Sequence, residues 1–283
     1  MSGYTLAQIR TARSLLFVPG NRADRFAKAM TAGADIVVID LEDAVGADEK
    51  DTARAHAGAW LAAGNRAMLR INATGTPWHE DDLGLIDDYG PAVMLPKSEG
   101  AEQVDRVGAS HLAGVAVVAL VETAAGILAA PALAAHDRVA RLAFGSIDLG
   151  AQLRVDPDDR TALLHARSAL VIACAAAGCA PPIDGVTTAV DNLQALSDDV
   201  DYARRLGMTA KLCIHPRQIA AVHAAMAPSA DLVEWAQKVM AVAESDGSAI
   251  AVDGQMIDKP VVDRARAILA DAQCTGSSPT RQP

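Results

Sequence analysis

Acidic and basic residues recur at one kind of place in this 283-residue sequence, the far ends of short apolar runs. Asp40-Leu41-Glu42-Asp43 closes one run, Arg70 and Asn72 another, Lys97 a third, Glu122 a fourth and His215 the last, while Asp148 follows the run before Gly145. Glu122 and Asp148 leave consecutive runs, so their carboxylates can converge on a hard divalent cation whose other positions go to water and substrate oxygens. Mg²⁺ suits that donor set, and the lack of a His or Cys pair at ligand spacing argues against Zn²⁺. The alternative use of the two acids is as caps, Glu122 for the helix that starts at Thr123 and Asp148 for a turn after Gly145. Arg70 offers a planar fork to a carboxylate ligand, or pairs with a buried acid such as Glu42 or Asp43. Lys97, after Pro96, stands where a Schiff-base amine would. His215, in Ile214-His215-Pro216, is either an orienting donor or a base.

Elements that gather six run ends at one rim are the strands of a parallel barrel. Runs rich in Val, Ile and Leu alternate with Ala-rich stretches of helical period. Eight strand candidates follow: Ser14 to Pro19, Asp35 to Asp40, Ala67 to Ile71, Ala92 to Pro96, Val115 to Val121, Val139 to Phe144, Pro182 to Val186 and Ala210 to Ile214. Helices are expected between them, among others at Arg22 to Ala32, Asp51 to Ala63, Thr123 to Ala135, Asp158 to Ala177 and Asp191 to Leu206. The fold class is therefore α/β, a (β/α)8 TIM barrel, whose functional groups sit at the C-terminal ends of its strands. Residues 1–229 are read as the barrel, 230–274 as a helical extension, and 275–283, rich in Ser, Pro and Gln, as a disordered tail.

Composition excludes several other classes. The net charge of -10 leaves no basic stripe for nucleic acid or an anionic membrane. Apolar runs fall short of the roughly 20 residues of a membrane span, and Met1 to Arg13 lacks the apolar core of a secretory signal, so a cytoplasmic protein is expected. Cys174, Cys179, Cys213 and Cys274 show neither metal-finger nor redox spacing and are read as buried free thiols.

Six segments together carry a resemblance: Arg13-Ser14-Leu15-Leu16-Phe17-Val18-Pro19-Gly20-Asn21-Arg22, Asp40-Leu41-Glu42-Asp43-Ala44-Val45, Arg70-Ile71-Asn72, Leu95-Pro96-Lys97, Val121-Glu122-Thr123 and Ile214-His215-Pro216. In this order and spacing the sequence resembles the citrate lyase beta subunit family, with the related malyl-CoA and citramalyl-CoA lyases of the HpcH/HpaI aldolase superfamily, from about Arg13 to Ala272. The resemblance implies a Mg²⁺-dependent carbon-carbon lyase with the cation on Glu122 and Asp148 and an oxo-acid group near Arg70. It places acyl-CoA contacts on Phe17, Arg22 and Lys28, with Lys97 and His215 also lining the substrate. It makes Gly254-Gln255-Met256-Ile257-Asp258-Lys259-Pro260 a lid segment, with Asp258 as acid/base, closing over a neighbouring subunit in a trimer or hexamer. Capping of the last helix by Asp258 is the competing reading. Glu42 is expected to hold a water beside the cation, or Arg70, in place. An acyl-carrier protein in place of CoA, as in a multi-subunit citrate lyase, and a non-catalytic acyl-CoA-binding barrel are the alternatives. In one respect the sequence departs from the pattern: Gly145-Ser146-Ile147-Asp148-Leu149 lacks the acidic residue that many relatives carry just before the Asp.

Overall fold

The computed structural model describes residues 3–107, 115–245, 250–252 and 255–276. In chain order the elements are α1 (Leu6–Thr11), β1 (Ser14–Pro19), α2 (Phe26–Met30), β2 (Ile36–Asp40), α3 (Lys50–Ala62), β3 (Met68–Arg70), α4 (His79–Tyr89), β4 (Ala92–Leu95), α5 (Ala101–Val107), β5 (Val117–Val121), α6 (Ala124–Ala134) and β6 (Val139–Phe144). They continue with α7 (Ser146–Leu153), α8 (Leu164–Ala177), β7 (Ala180–Asp184), α9 (Leu193–Leu206), β8 (Ala210–Cys213), α10 (Arg217–Met226), α11 (Ala230–Ser245), β9 (Ile250–Val252), β10 (Gln255–Ile257) and α12 (Lys259–Gly276). Strands β1 to β8 close into a barrel in sequence order, each parallel to its neighbours. Strands β2, β5 and β6 are buried at every position, as continuous apolar runs covered on both faces should be.

One face of the strands fills the barrel with Leu15, Val38, Met68, Met94, Val118, Leu120, Ile183 and Leu212. Each such side chain contributes about 1.5–3 kcal/mol when fully buried. The short helix α1 joins this cluster through Ile9, and Tyr4 before it accepts the Val37 N–H at 3.0 Å. Thr5 and Gln8 cap α1 reciprocally. Arg141, wholly buried on β6, donates to the carbonyls of Ala12 at 2.6 Å and Pro181 at 2.7 Å, and to Thr209 Oγ1 at 2.8 Å.

Strand β7 lies two residues earlier than the expected Pro182 to Val186. Pro181 and Pro182 have no N–H for the ladder, the β6–β7 register slips between Arg141 and Ala143, and the Arg141 guanidinium serves the Pro181 carbonyl instead. The helix expected from Arg22 to Ala32 divides into a 3-10 turn, Ala23–Arg25, and the short α2. The turn expected after Gly145 is the eight-residue helix α7.

The chain forms two compact units that divide between Val222 and His223. In the second, Ala236 and Val239 of α11 pack with Ala265 and Ile268 of α12 and with Ile257 of β10, and β9 pairs antiparallel with β10. Helix α12 takes in Thr275 and Gly276, the start of the segment expected to be disordered, while 277–283 lie outside the described residues.

Candidate functional site

Strand β5 ends at Val121, so Glu122 is the first residue past the barrel rim, and it is almost fully buried. Its Oε1 accepts the Lys97 backbone N–H at 2.9 Å. Lys97 adopts φ 47°, the left-handed region, where a non-glycine residue costs on the order of 1–3 kcal/mol. That conformation turns its N–H to the acid on the next strand. Thr123, not Glu122, caps α6, accepting the Gly126 N–H on its hydroxyl at 3.1 Å. Gly145 lets β6 pass close beside Glu122, because a Cβ at residue 145 would stand 2.3 Å from Glu122 Cβ and 2.6 Å from Oε2. Gly145→Ala is therefore expected to cost about 1–3 kcal/mol through overpacking, measured as a lower Tm.

Asp148 sits in the first turn of α7, half-buried, without capping the helix by its side chain. Burial first, then the charges of Glu42 and Asp148, push the Glu122 carboxyl up to about 8. Crowded acids of this kind are relieved by binding a proton or a cation. Among the described residues no group of three His, Cys, Asp or Glu side chains forms a complete metal cage. Two hard oxygen donors, with the remaining positions left to water and ligand, fit an Mg²⁺-like ion and do not fit Zn²⁺.

Glu42 bridges the two nearest cations. Its Oε1 accepts from Lys97 Nζ at 2.7 Å, and its Oε2 lies 3.3 Å from Arg70 Nη1 without a hydrogen bond of good geometry. Burial raises the Glu42 carboxyl despite Arg70 and Lys97. Burial works to lower the Lys97 ammonium, but the Glu42 hydrogen bond and charge, with Glu122 and Asp43, leave it raised. An amine held so firmly protonated is a poor Schiff-base nucleophile.

Arg70 has the expected acids Glu42 and Asp43 within ion-pair distance, but its hydrogen bonds go to a third acid, Asp40. Its Nε and Nη2 clamp Asp40 at 2.7 and 2.5 Å, and Asp43 is 3.7 Å away. Asp40 is its register partner across β2 and β3, a signal available once the two strands are paired. Burial opposes the Arg70 charge, but Asp40, Glu42 and Asp43 raise its pKa. Nε and one N–H of Nη2 are committed to Asp40, which leaves Nη1, flanked by Glu42 at 3.3 Å and Asp43 at 3.7 Å, and the second Nη2 N–H as donors for a ligand. Asp40 also accepts the N–H groups of Glu42 and Ala44, at 2.9 and 3.2 Å. Lys50 Nζ holds the same loop from beneath through the Leu41 and Glu42 carbonyls and Asn72 Oδ1, at 2.8, 2.7 and 2.7 Å.

Beside Arg70, Phe17 lies half-buried under the guanidinium, 4.8 Å from ring centroid to Cζ. Phe17 and His215 line a cleft of about 390 Å³ together with Arg25 and Lys28. Arg25 was not singled out from the sequence. Arg22 was, but its fork is closed on Asp24 at 2.8 and 2.7 Å. His215 accepts the Arg217 N–H on Nδ1 at 3.1 Å. Asp258 belongs to the second unit, where it is exposed and caps α12 by accepting the Val261 N–H at 3.2 Å.

The barrel rim thus gathers Glu122, Asp148, Glu42, Arg70 and Lys97. Residues 13–216 match the HpcH/HpaI aldolase/citrate lyase family. A citrate lyase subunit beta-like protein of Mycobacterium tuberculosis is 38% identical over 264 residues, covering 91% of this chain and 94% of its own. A (3S)-malyl-CoA thioesterase of Cereibacter sphaeroides is 32% identical over 277 residues, covering 94% and 96%. A crystal structure of CitE from M. tuberculosis, in complex with magnesium, acetoacetate and coenzyme A, superposes with a TM-score of 0.81 at 35% identity, covering 93% of this chain and 99% of that one. This chain belongs to the HpcH/HpaI aldolase/citrate lyase family.

Proposed function

We propose that the chain is a Mg²⁺-dependent carbon-carbon lyase that cleaves a 3-hydroxyacyl-CoA of the malyl, citramalyl or citryl type into acetyl-CoA and an oxo-acid. The observation that carries this reading is the buried, crowded carboxylate of Glu122 beside Asp148, at a rim that also carries the guanidinium of Arg70, whose Nη1 makes no hydrogen bond of good geometry to Glu42. Glu122 and Asp148 would hold the cation, which supplies Lewis-acid polarisation of the hydroxyl and carboxylate oxygens.

Cleavage between the second and third acyl carbons leaves the electron pair as a thioester enolate and turns the hydroxyl into a carbonyl. Arg70 Nη1 would face the oxo-acid oxygens as charge develops on them. Asp40 fixes the Arg70 fork, so little of its orientation is left to be lost on binding. Glu42 and Lys97 set the charge around Glu122, with Lys97 held cationic. Arg25 and Lys28 suit the anionic end of a CoA thioester, Phe17 its apolar portion, and His215 is placed to orient it. Arg22 would join them by leaving Asp24.

The proton lost from the hydroxyl would leave to solvent, and Asp258, the proposed acid/base, would deliver a proton to the acetyl carbon, a step worth about 10² to 10⁴ in rate. In this reading the second unit is a lid that acts on a neighbouring subunit within a homo-oligomer. A thioesterase reading is favoured by the C. sphaeroides relative's name, since the same thioester can be attacked by water after binding.

A panel of malyl-, citramalyl- and citryl-CoA, beside citryl-loaded acyl-carrier protein, tests the proposal by product. Acetyl-CoA with oxo-acid is the expected result, lost in Asp258→Asn. Free CoA with intact hydroxy acid would make the chain a thioesterase, turnover of the carrier-linked substrate alone would make it a citrate lyase subunit, and binding without turnover would remove the catalytic reading.

One pH effect follows from Glu122. Its carboxyl holds a proton up to about 8 in the metal-free protein, and a cation must displace that proton. Mg²⁺ binding is expected to release a proton below that pH and to tighten as pH rises towards it. Calorimetry in buffers of different ionisation enthalpy reads the release directly. In the metal-free protein the raised carboxyl favours the neutral form, so stability falls as pH rises from the ordinary carboxylate range towards about 8.

A further inference from the structure

Two cysteines with no redox spacing in the sequence are brought together by the end of a helix. Helix α8 ends in a left-handed Gly178, φ 66°, and the Cys179 N–H returns to the Cys174 carbonyl at 2.9 Å. That pattern packs the side chain three positions inside the helix against the side chain two positions past its cap. The contact is usually apolar, but here both members are thiols, close enough for each to shift the other's ionisation. The 2.9 Å bond from the Cys179 N–H to the Cys174 carbonyl brings the two backbones together, the first condition for a disulfide between them.

The surroundings divide the labour. Cys174 is buried, while Cys179 is half-exposed and preceded by exposed residues from Ala175 to Gly178. The Cys174 hydrogen bond, the Ala180 N–H and the positive charges of Arg10 and Arg141 favour the Cys179 thiolate over the opposing effect of burial. The Ala140 carbonyl, 3.5 Å from Cys179 Sγ, accepts from the protonated form only. Arg141 has no carboxylate among its hydrogen-bond partners, so its charge acts at the thiols undiminished by a neighbouring acid. The Cys174 thiol is held protonated, mainly as donor to Cys179 and by burial.

We propose that Cys174 and Cys179 are a redox-active dithiol at the N-terminal end of the barrel, with Cys179 the attacking and Cys174 the resolving sulfur, and a hydroperoxide the oxidant. Cys179 thiolate attacks the terminal peroxide oxygen, the O–O bond breaks, and hydroxide or alkoxide leaves, giving a sulfenic acid. Cys174 sulfur then displaces the sulfenic oxygen, which leaves as water with the Cys174 proton, and the S–S bond forms. Overall two thiols and one hydroperoxide give one disulfide, one water from the sulfenic oxygen, and a second water or an alcohol from the peroxide's leaving group. The site lies at the opposite end of the strands from Glu122, so it is separate from the rim chemistry.

Hydrogen peroxide added to the full-length protein, followed by alkylation and peptide mass spectrometry, tests this. Both cysteines fall in one tryptic peptide, Ser168 to Arg204. The expected result is loss of two hydrogens from that peptide, restored by dithiothreitol, with Cys213 still alkylated. Cys174→Ser is expected to leave Cys179 as a dimedone-reactive sulfenic acid, and Cys179→Ser to leave Cys174 reduced. Full alkylation of both thiols in peroxide-treated wild-type protein, or a disulfide joining Cys179 to any other cysteine, would overturn the proposal.

Discussion

Glu122→Gln is expected to reduce cleavage by about three orders of magnitude while leaving the barrel folded, because Lewis-acid help is worth several kcal/mol and each ~1.4 kcal/mol is a factor of ten. The amide keeps the shape of the side chain and can still accept the Lys97 N–H, so the loss isolates the negative charge. It also removes the carboxyl that titrates at about 8, so proton release on Mg²⁺ addition should vanish with it. Steady-state turnover with calorimetry of Mg²⁺ binding checks both. A variant that keeps wild-type Mg²⁺ affinity would take Glu122 out of the cation site.

The second large effect is on stability. Asp184, at the end of β7, is buried and accepts Arg167 Nε at 2.9 Å and Lys211 Nζ at 2.7 Å, both cations being buried as well. Arg167 Nη1 already has no hydrogen-bond partner, although the guanidinium stacks on Phe144 at 4.8 Å. Asp184→Asn removes the single anion and leaves two buried cations uncompensated, which should cost about 3–5 kcal/mol. Chemical denaturation should show it as a lower midpoint at unchanged slope. In the wild-type protein, burial works against the Asp184 charge, but Lys211 and Arg167 hold its pKa below the ordinary carboxylate value. Its stabilising contribution is therefore present above the unfolded-state pKa and is lost as pH falls through the lower folded-state pKa. A triple replacement by apolar residues should recover much of the loss.

The barrel was legible because fully covered strands are written as unbroken apolar runs, such as Ile36–Asp40 and Val117–Val121. The rim groups were legible for the same reason, since Glu122, Lys97 and Arg70 each stand at the end of such a run. Pairings between strands were less so. The acids Glu42 and Asp43 near Arg70 are readable in the sequence and do flank it, but its hydrogen-bonded partner Asp40 follows only from the barrel register. Gly145 and the left-handed Lys97 carry no periodic signal, because their roles arise from the close approach of a neighbouring strand. Strand β7 was displaced because its two prolines were placed at its edge instead of within it. Cys174 and Cys179 escaped notice as a pair because the return of a helix end, not their spacing, joins them.

Acetyl-CoA and oxo-acid release from malyl-CoA, followed with Mg²⁺, with chelator and after Mg²⁺ is restored, is the most direct test of the account. Equal amounts of the two products, abolished by chelator, recovered with the metal and absent in Glu122→Gln, is the predicted result. Cleavage that persists in chelator, or in Glu122→Gln, would contradict it.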